Sequence, residues 1–218
     1  MIDIKLIQED PAKVAAALEK KGYAFDFSAV LEKDALRRAK QTELEKAIDQ
    51  TVMACSEMSR TKTGVLMVFE RNINLDDIVR TGTELDCAVV CELLKNICFV
   101  KAPMHDGAVI VRHGRIIGGG CMLPLSKNVN LSRDLGMRHR AGIGMSENSD
   151  AIVVIVSEET GIISMAKNGV LIRRLDRQNL FNLLQEEIVP PAEDEEADIS
   201  PLQKLLRKGG ALNHGKPE

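Results

Sequence analysis

The sequence has little that would place it in a membrane, on nucleic acid or outside the cell. No run of about 18 apolar residues occurs in its 218 residues, so we expect no transmembrane helix. No apolar stretch follows the charges at the N-terminus, which argues against a secretory signal. The formal net charge is −3, so no overall basic field attracts nucleic acid or anionic lipid. These absences favour a globular protein of the cytoplasm without membrane or nucleic-acid partners.

Disulfide and zinc-binding patterns are also missing. The five cysteines are an odd number and include no CxxC pair. The spacing of Cys87, Cys91 and Cys98 predicts one helix face, and that segment offers no further metal ligands. Because free cysteine behaves as a small hydrophobe, we expect buried, reduced thiols, as in a reducing cytoplasm.

Three regions follow one another along the chain. Residues 1–60 are charged and predict a helical region. Residues 61–189 mix strand and helix patterns, and residues 190–218 predict an acidic linker with a flexible tail.

The hydrophobic pattern predicts the order of the elements. We expect helices at Asp10-Pro11 to Gly22, from Ser28 or Asp34 to Ser59, and at Leu85–Phe99, 133–145 and 179–188. We expect strands at Gly64–Glu70 and 151–156, and hairpins at 108–122 and 162–173, where His113-Gly114 and Asn168-Gly169 predict the turns. This order predicts an α/β fold with a mixed or largely antiparallel sheet flanked by helices, with a helical N-terminal extension.

Asp106 is the first candidate for chemistry. It belongs to His105-Asp106-Gly107-Ala108, directly before a predicted strand, so its carboxylate is presented at a strand end. Gly107 and Ala108 leave room for a ligand beside the backbone. A carboxylate in this place can take a proton from an attacking hydroxyl or hold a divalent metal. An acid that caps an ordinary turn is the alternative.

Arg138-His139-Arg140 is the second candidate. Two guanidiniums within three residues can hold a phosphate through paired hydrogen bonds. The small residues around the triplet predict a phosphate cradle at the start of a helix. A solvated basic turn is the alternative for any isolated triplet of charges.

Ser157-Glu158-Glu159-Thr160-Gly161 is the third candidate. It ends a predicted central strand, where a hydroxyl and carboxylates can meet phosphate and metal. A polar turn is the alternative. Gly118 to Gly120 lie inside a predicted strand and indicate close approach of backbone or ligand, but they match neither a dinucleotide motif nor a P-loop.

Together with three further segments, these candidates resemble the catalytic domain of bacterial diadenylate cyclases, especially the membrane-anchored housekeeping type. The resemblance covers roughly residues 44–187. The segments that carry it are Gly64–Glu70, Thr81–Asp86, His105–Ala108, Leu123–Ser126, Arg138–Arg140 and Ser157–Gly161.

The resemblance implies an α/β fold with a central mixed, mainly antiparallel sheet. It also implies that two facing protomers, each with one ATP, form cyclic di-AMP and release two pyrophosphates with Mg²⁺ or Mn²⁺. The implied catalytic residues are Asp106, Arg138, His139 and Arg140. The implied ATP contacts are Gly107, Ala108, Met122, Leu123, Arg138, His139, Arg140, Ser157 and Glu158, and the implied metal ligands are His105, Asp106 and Glu159.

Two positions depart from the family pattern. The family usually has threonine where this chain has Met137, which implies a lost hydroxyl contact to phosphate. An aromatic residue often stands at the position of Met122, where a thioether would contact adenine instead. Both changes favour a second hypothesis, a degenerate cyclase that senses ATP or cyclic di-AMP. Turnover, as opposed to binding alone, separates the two hypotheses.

Residues 1–45 resemble the start of seryl-tRNA synthetase, whose helical arm binds tRNA. The residues that carry this resemblance are Met1–Ile7, Asp10-Pro11, Lys20–Gly22, Arg37-Arg38 and Gln41–Glu45. A natural variant and an engineered fusion both fit this arrangement. We expect these helices to control self-association or to restrain the cyclase. A third hypothesis, a tRNA-arm-like adaptor, predicts salt-sensitive RNA binding, which the net charge of −3 does not favour.

Overall fold

The computed structural model describes residues 4–23, 25–132 and 134–189. Within these ranges the chain forms seven helices and seven strands. The helices are α1 (Ile4–Glu9), α2 (Pro11–Glu19), α3 (Ser28–Thr61), α4 (Asp76–Val79), α5 (Cys91–Ile97), α6 (Met137–Asn148) and α7 (Arg177–Ile188). The strands are β1 (Val65–Phe69), β2 (Thr83–Ala88), β3 (Ala108–Arg112), β4 (Arg115–Cys121), β5 (Ile152–Val156), β6 (Ile163–Lys167) and β7 (Val170–Leu175).

The strands form one sheet in the order β2-β4-β3-β1-β5-β6-β7. β1 and β3 are parallel, and each of the other neighbouring pairs is antiparallel. The predicted α/β fold with a mixed, mainly antiparallel sheet is therefore confirmed.

Burial explains why the central strands were easy to recognise. All residues of β1 and β5 are buried, because helices cover both faces of the sheet and a strand covered in this way needs a continuous apolar run. On one face, α3, α5 and α7 contribute side chains such as Ile48, Leu94 and Leu184. On the other face, α4 and α6 contribute Val79 and Ile143.

Both predicted hairpin turns are confirmed. His113 and Gly114 have φ of 48° and 81°, and Asn168 and Gly169 have φ of 49° and 75°. A two-residue turn of type I′ needs positive φ at both positions, which matches the right-handed twist of the flanking strands.

The helix predicted from Leu85 to Phe99 is wrong. Residues 83–88 are the edge strand β2, in which half-buried Leu85 and Cys87 alternate with exposed neighbours. The helix α5 begins only at Cys91. Cys87 therefore does not share a helix face with Cys91 and Cys98. The five cysteines are free, and all except Cys87 are buried, as expected for reduced thiols.

The remaining differences concern element ends. α2 ends at Glu19, before Gly22, whose φ is 82°. α3 begins at the earlier of the two predicted starts, Ser28, and α6 begins at Met137. Two short helices, α1 and α4, have no counterpart among the predicted elements.

The chain divides into two compact units, each held together by contacts within itself. Residues 39–189 form the unit that contains the sheet. In the N-terminal unit, which extends to Arg38, Asp10 caps α2 by accepting a hydrogen bond from Lys13 N. Buried Asp34 accepts a hydrogen bond of 2.6 Å from Gln8.

The boundary predicted after residue 60 lies at the end of α3. The predicted linker and tail, 190–218, lie outside the described residues. Within the described ranges, no helix is both long and apolar enough to span a bilayer.

Candidate active site

The ends of four strands meet at one edge of the sheet. β1 and β3 begin there, since they are parallel and Met67 pairs with Val109. β5 ends there, because Val65 pairs with Val156, and β4 ends there, because Ala108 pairs with Cys121. We call this border the site edge and define it by residues 64–65, 105–108, 121–123 and 156–159. It collects three of the predicted segments, although they lie far apart in the sequence.

Asp106 is exposed at the site edge, directly before β3. The next residue, Gly107, has φ of 143°, and a Cβ atom added to it would lie 2.4 Å from the backbone carbon of Gly120. Only glycine tolerates both the backbone conformation and this contact. The glycines of β4 therefore allow close backbone approach, as their pattern predicts, and this approach fixes the position from which Asp106 projects.

His105 is half-buried beside Asp106. Its Nδ1 lies 2.6 Å from the carbonyl oxygen of Ala102, so Nδ1 donates a hydrogen bond to that oxygen. In the neutral ring, Nε2 then carries the lone pair, which is the arrangement of a histidine that ligates a metal.

Arg138 reaches the site edge from the first turn of α6. Its guanidinium packs over the start of β1, where a Cβ on Gly64 would lie 2.8 Å from Cζ of Arg138. Its Nη1 donates a hydrogen bond of 2.6 Å to Oε2 of Glu158, just beyond β5. The predicted phosphate cradle at a helix start thus lies beside two of the strand ends. Sequence reasoning did not assign Gly64 to the site; a glycine directly before a buried strand was the available signal.

His139 points in a different direction from Arg138. It is 4% exposed, and its Nε2 is buried without a hydrogen-bond partner. Burial lowers the pKa of His139 below its ordinary value, and the charge of Arg173 lowers it further. The charge of Glu159 raises it, but the net shift is downward. The imidazole is therefore neutral at pH 7. Arg140 is half-buried, and its carbonyl oxygen accepts a hydrogen bond of 3.0 Å from Ser126 N.

The loop after β5 is held by two sets of hydrogen bonds. Ser157 accepts a hydrogen bond at Oγ from Thr160 N and another at its carbonyl oxygen from Gly161 N. The carbonyl oxygen of Gly161 accepts a bond of 2.6 Å from the Ser59 hydroxyl at the end of α3. This anchoring leaves Glu158 and Glu159 exposed at the site edge.

Met122 and Leu123 follow β4. Met122 is 72% exposed, but its backbone N–H donates a hydrogen bond of 2.8 Å to the Thr81 hydroxyl. Thr81 in turn donates to the carbonyl oxygen of Ile78 at 2.6 Å. The backbone bordering the site is thus tied to α4 by Thr81, whose role the sequence pattern alone did not indicate.

The predicted metal ligands do not form a compact set in one protomer. Among the described residues, the one group of three ligand atoms within 4.8 Å of one another belongs to Glu57, Cys91 and Glu92, away from the site edge. Lys95 already donates hydrogen bonds of 2.8 and 2.9 Å to these two carboxylates. That group is therefore an ion pair rather than a metal centre.

Comparison with known proteins gives two family matches. The family model described as "DisA bacterial checkpoint controller nucleotide-binding" matches residues 52–171. The model of the seryl-tRNA synthetase N-terminal domain matches residues 1–63, which agrees with the second resemblance.

Curated relatives and solved structures include several similar proteins. "Cyclic di-AMP synthase CdaA" of Bacillus subtilis is 42% identical over 66% of this chain and 52% of its own length. "Cyclic di-AMP synthase CdaS" of the same organism is 34% identical over 77% of this chain and 81% of its own length. The crystal structure of a double mutant of DacA from Staphylococcus aureus is 40% identical, covers 66% of this chain and 95% of that one, and superimposes with a TM-score of 0.64.

The chain spans about half the length of several curated relatives, such as CdaA (52%) and the Listeria monocytogenes diadenylate cyclase (48%). The family model nevertheless matches more than half of this chain, over the strands and loops that build the site edge. This chain belongs to the diadenylate cyclase family, which shares the DisA nucleotide-binding domain.

Proposed function

We propose that this protein condenses two ATP molecules into cyclic di-AMP and releases two pyrophosphates. The observation that carries the proposal is the position of two groups at the same end of neighbouring parallel strands: exposed Asp106 directly before β3, and the guanidinium of Arg138 over the start of β1. This edge combines an acid that can accept a proton with a cation that can hold phosphate. The names of relatives such as CdaA and CdaS support the same reaction.

Each residue then has a chemical role. Asp106 accepts the proton of the 3′-hydroxyl of one ATP while that oxygen attacks the α-phosphorus of the other ATP. The bond to the leaving pyrophosphate breaks, and Arg138 and Arg140 stabilise the phosphate charge. His139 and Ser157 complete the phosphate contacts, and Gly107, Ala108, Met122 and Leu123 border the adenosine. Because each 3′-hydroxyl attacks the other nucleotide, two protomers face each other.

Mg²⁺ or Mn²⁺ fits the donor set at the site edge. Asp106 and Glu159 are exposed carboxylates, and Nε2 of His105 carries a lone pair because Nδ1 is engaged by Ala102. Mg²⁺ commonly takes one or two carboxylates together with phosphates of the substrate, so a dispersed protein ligand set is no obstacle. When bound, the ion supplies charge neutralisation and lowers the pKa of the attacking hydroxyl.

The second candidate is a nucleotide sensor with little or no turnover. Met122 and Met137 are 72% and 65% exposed. They stand where the family often has an aromatic residue and usually has a threonine. A missing hydroxyl contact to phosphate would lower catalysis, while a thioether in place of an aromatic ring still allows contact with adenine. We place either form of the protein in the cytoplasm, which the free state of its five cysteines supports.

The direct test is incubation of the full chain with ATP and either Mn²⁺ or Mg²⁺, followed by mass-resolved chromatography. Asp106→Asn is the matched variant, since it keeps the shape of the side chain but removes the base. We expect cyclic di-AMP and pyrophosphate from the natural sequence, and ATP binding without product from the variant.

Other outcomes are equally informative. ATP binding without product in the natural sequence favours the sensor. Product from Asp106→Asn at the natural rate shows that another group is the base. A chain that neither binds nor converts ATP contradicts both candidates. A specific activity that does not fall when dilution converts the protein to monomers, as measured by sedimentation, contradicts the need for two facing protomers.

A further inference from the structure

Two side chains of the described residues contain a buried polar atom without a hydrogen-bond partner. They are His139, through Nε2, and Ser164, through Oγ. Their exposed fractions are 4% and 0%. Buried polar atoms in folded proteins are nearly always hydrogen-bonded, so two such atoms in one domain call for a shared explanation.

The sheet geometry places Ser164 on the face that α6 covers. Its neighbours Ile163 and Met165 belong to the core on the opposite face, and side chains alternate along a strand. Ser164 pairs directly with Ile155 of β5, and Ile155 belongs to the core under α6. Ser164 therefore points toward that helix.

His139 lies on the side of α6 that packs against Ile155. A Cβ added to Gly142 of α6 would lie 2.8 Å from Cδ1 of Ile155, so this side of the helix rests on that residue. His139 precedes Gly142 by three positions and shares its helix face. The two buried atoms thus lie on the same side of the sheet, where α6 packs on Ile155, and no hydrogen bond joins them directly.

Arg173 supports this placement independently. It is the cross-strand partner of Ser164 in β7, and its charge is among the causes that lower the pKa of His139. Charge effects of this kind need proximity. The same arginine is therefore near both Ser164 and His139.

We propose that Ser164 is a positioning residue for His139: its hydroxyl holds one water molecule, and this water donates a hydrogen bond to Nε2. A hydrogen bond to one ring nitrogen determines which nitrogen carries the proton. With Nε2 as the acceptor, the proton stays on Nδ1, and this Nδ1–H is the donor that His139 offers to a phosphate of ATP. The last step rests on the proposed function, but the tautomer of His139 does not.

Two substitutions of equal shape test the link. Ser164→Thr keeps the hydroxyl, whereas Ser164→Val replaces it with a methyl group on the same branched framework. Imidazole nitrogen chemical shifts of ¹⁵N-histidine-labelled full-length protein report the tautomer, and His139→Gln identifies the signals among the four histidines. We expect the Nδ1-protonated form in the natural chain and in Ser164→Thr, and a mixture of tautomers in Ser164→Val.

ATP affinity provides the second measurement. The apparent affinity for ATP falls in proportion to the fraction of molecules with the Nδ1-protonated form. We therefore expect Ser164→Val to raise KM for ATP about twofold if the two tautomers are equally populated, with kcat nearly unchanged, and Ser164→Thr to keep the natural KM. Ser146→Ala is the structural control, because buried Ser146 has its own partners in Ile143 and Gly169. It should lower stability without changing KM.

The outcomes separate this inference from the proposed function. If the chain makes no cyclic di-AMP, the tautomer and the ATP dissociation constant still test Ser164. An Nε2-protonated His139 in the natural chain overturns the inference, and so do identical tautomers in the threonine and valine variants. A changed tautomer with unchanged ATP affinity shows that Ser164 positions His139 but that His139 does not contact phosphate. This outcome overturns the proposed phosphate contact and keeps the link between Ser164 and His139.

Discussion

Arg138 and Glu158 are joined by a hydrogen bond of 2.6 Å across the site edge. Arg138 comes from the first turn of α6 and Glu158 from the loop after β5, so the ion pair connects two separate parts of the site. The same guanidinium is the proposed phosphate ligand. We therefore expect a phosphate of ATP to compete with the carboxylate of Glu158 for Nη1 of Arg138.

We predict that Glu158→Gln lowers KM for ATP by up to about fivefold, because it removes a competitor for Arg138. The size of the effect is limited, since Glu158 is 59% exposed and exposed ion pairs contribute only about 0.2–1 kcal/mol. Steady-state kinetics at fixed metal concentration measures the change. Glu186→Gln removes an exposed carboxylate from α7 and provides the matched control. A higher KM in Glu158→Gln would show that Glu158 itself contacts ATP.

The strands with local signals were predictable, and the strand with a distant partner was not. β5 has a continuous β-branched run, and the hairpins have turn residues suited to positive φ. β2 has neither feature. It pairs with Gly118 and Gly119 of β4, more than thirty positions away. Its alternation is short, and the spacing of Cys87 to Cys91 and Cys98 also fits a helix. Its conformation depends on tertiary pairing, which a local pattern does not contain.

Prediction of the candidate site from the sequence is limited in the same way. Sequence segments indicated Asp106 and the Arg138 triplet because acids beside glycines and paired cations are visible in the sequence. The burial of His139 was not visible, since a triplet of cations suggests three exposed charges. The contribution of Ser164 depends on which face of β6 meets α6, and only the folded sheet defines that.

Gly107→Ala should abolish product formation and destabilise the fold. The added Cβ would lie 2.4 Å from the Gly120 backbone carbon, and a φ of 143° is unfavourable for alanine. Backbone strain of this kind costs about 1–3 kcal/mol before the steric overlap is added. Thermal unfolding and the product assay measure both effects.

Gly136→Ala is the matched control for Gly107→Ala. Gly136 also borders the site, directly before α6, but it has an ordinary φ of −67° and no atom within 4 Å of an added Cβ. Because Gly136 is the N-cap residue of α6, where glycine is preferred to alanine, we expect the variant to lower stability by only about 0.5–1 kcal/mol and to keep product formation. If both variants behave alike, contact between Gly107 and Gly120 does not control the position of Asp106.

His139 should make stability depend on pH below neutrality. Burial lowers its pKa in the folded protein below the ordinary value of 6.5, and the charge of Arg173 acts in the same direction. The unfolded chain therefore binds a proton more readily than the folded chain. Stability is unaffected above about pH 6.5 and falls as the pH decreases toward the folded pKa, with a slope of at most about 1.4 kcal/mol per pH unit.

Denaturant unfolding at several pH values checks this sign. His139→Gln should flatten the decrease in stability below pH 6.5, whatever its effect at neutral pH. His113→Asn provides a control that removes a histidine from an exposed turn. Equal pH slopes for the natural chain and His139→Gln contradict a buried neutral imidazole.

Removal of residues 1–38 should change the oligomeric size or the catalytic rate, because the N-terminal unit carries apolar side chains suited to self-association. Leu6 and Leu36 are 54% and 57% exposed. The cut falls between the compact units and keeps Glu43, whose carbonyl oxygen lies 3.0 Å from a Cβ added to Gly114 in the β3–β4 turn.

Sedimentation and the product assay should be applied to this truncated chain and to full-length Leu36→Gln. If self-association uses the exposed leucines, the point variant reproduces the change in size while the N-terminal helices remain. If the helices restrain catalysis in another way, the rate rises in the truncated chain alone. Natural size and rate in both proteins contradict a regulatory role for residues 1–38. A cut after residue 44 does not separate these cases, since loss of Glu43 also removes its ion pair of 3.7 Å with Arg115 in β4.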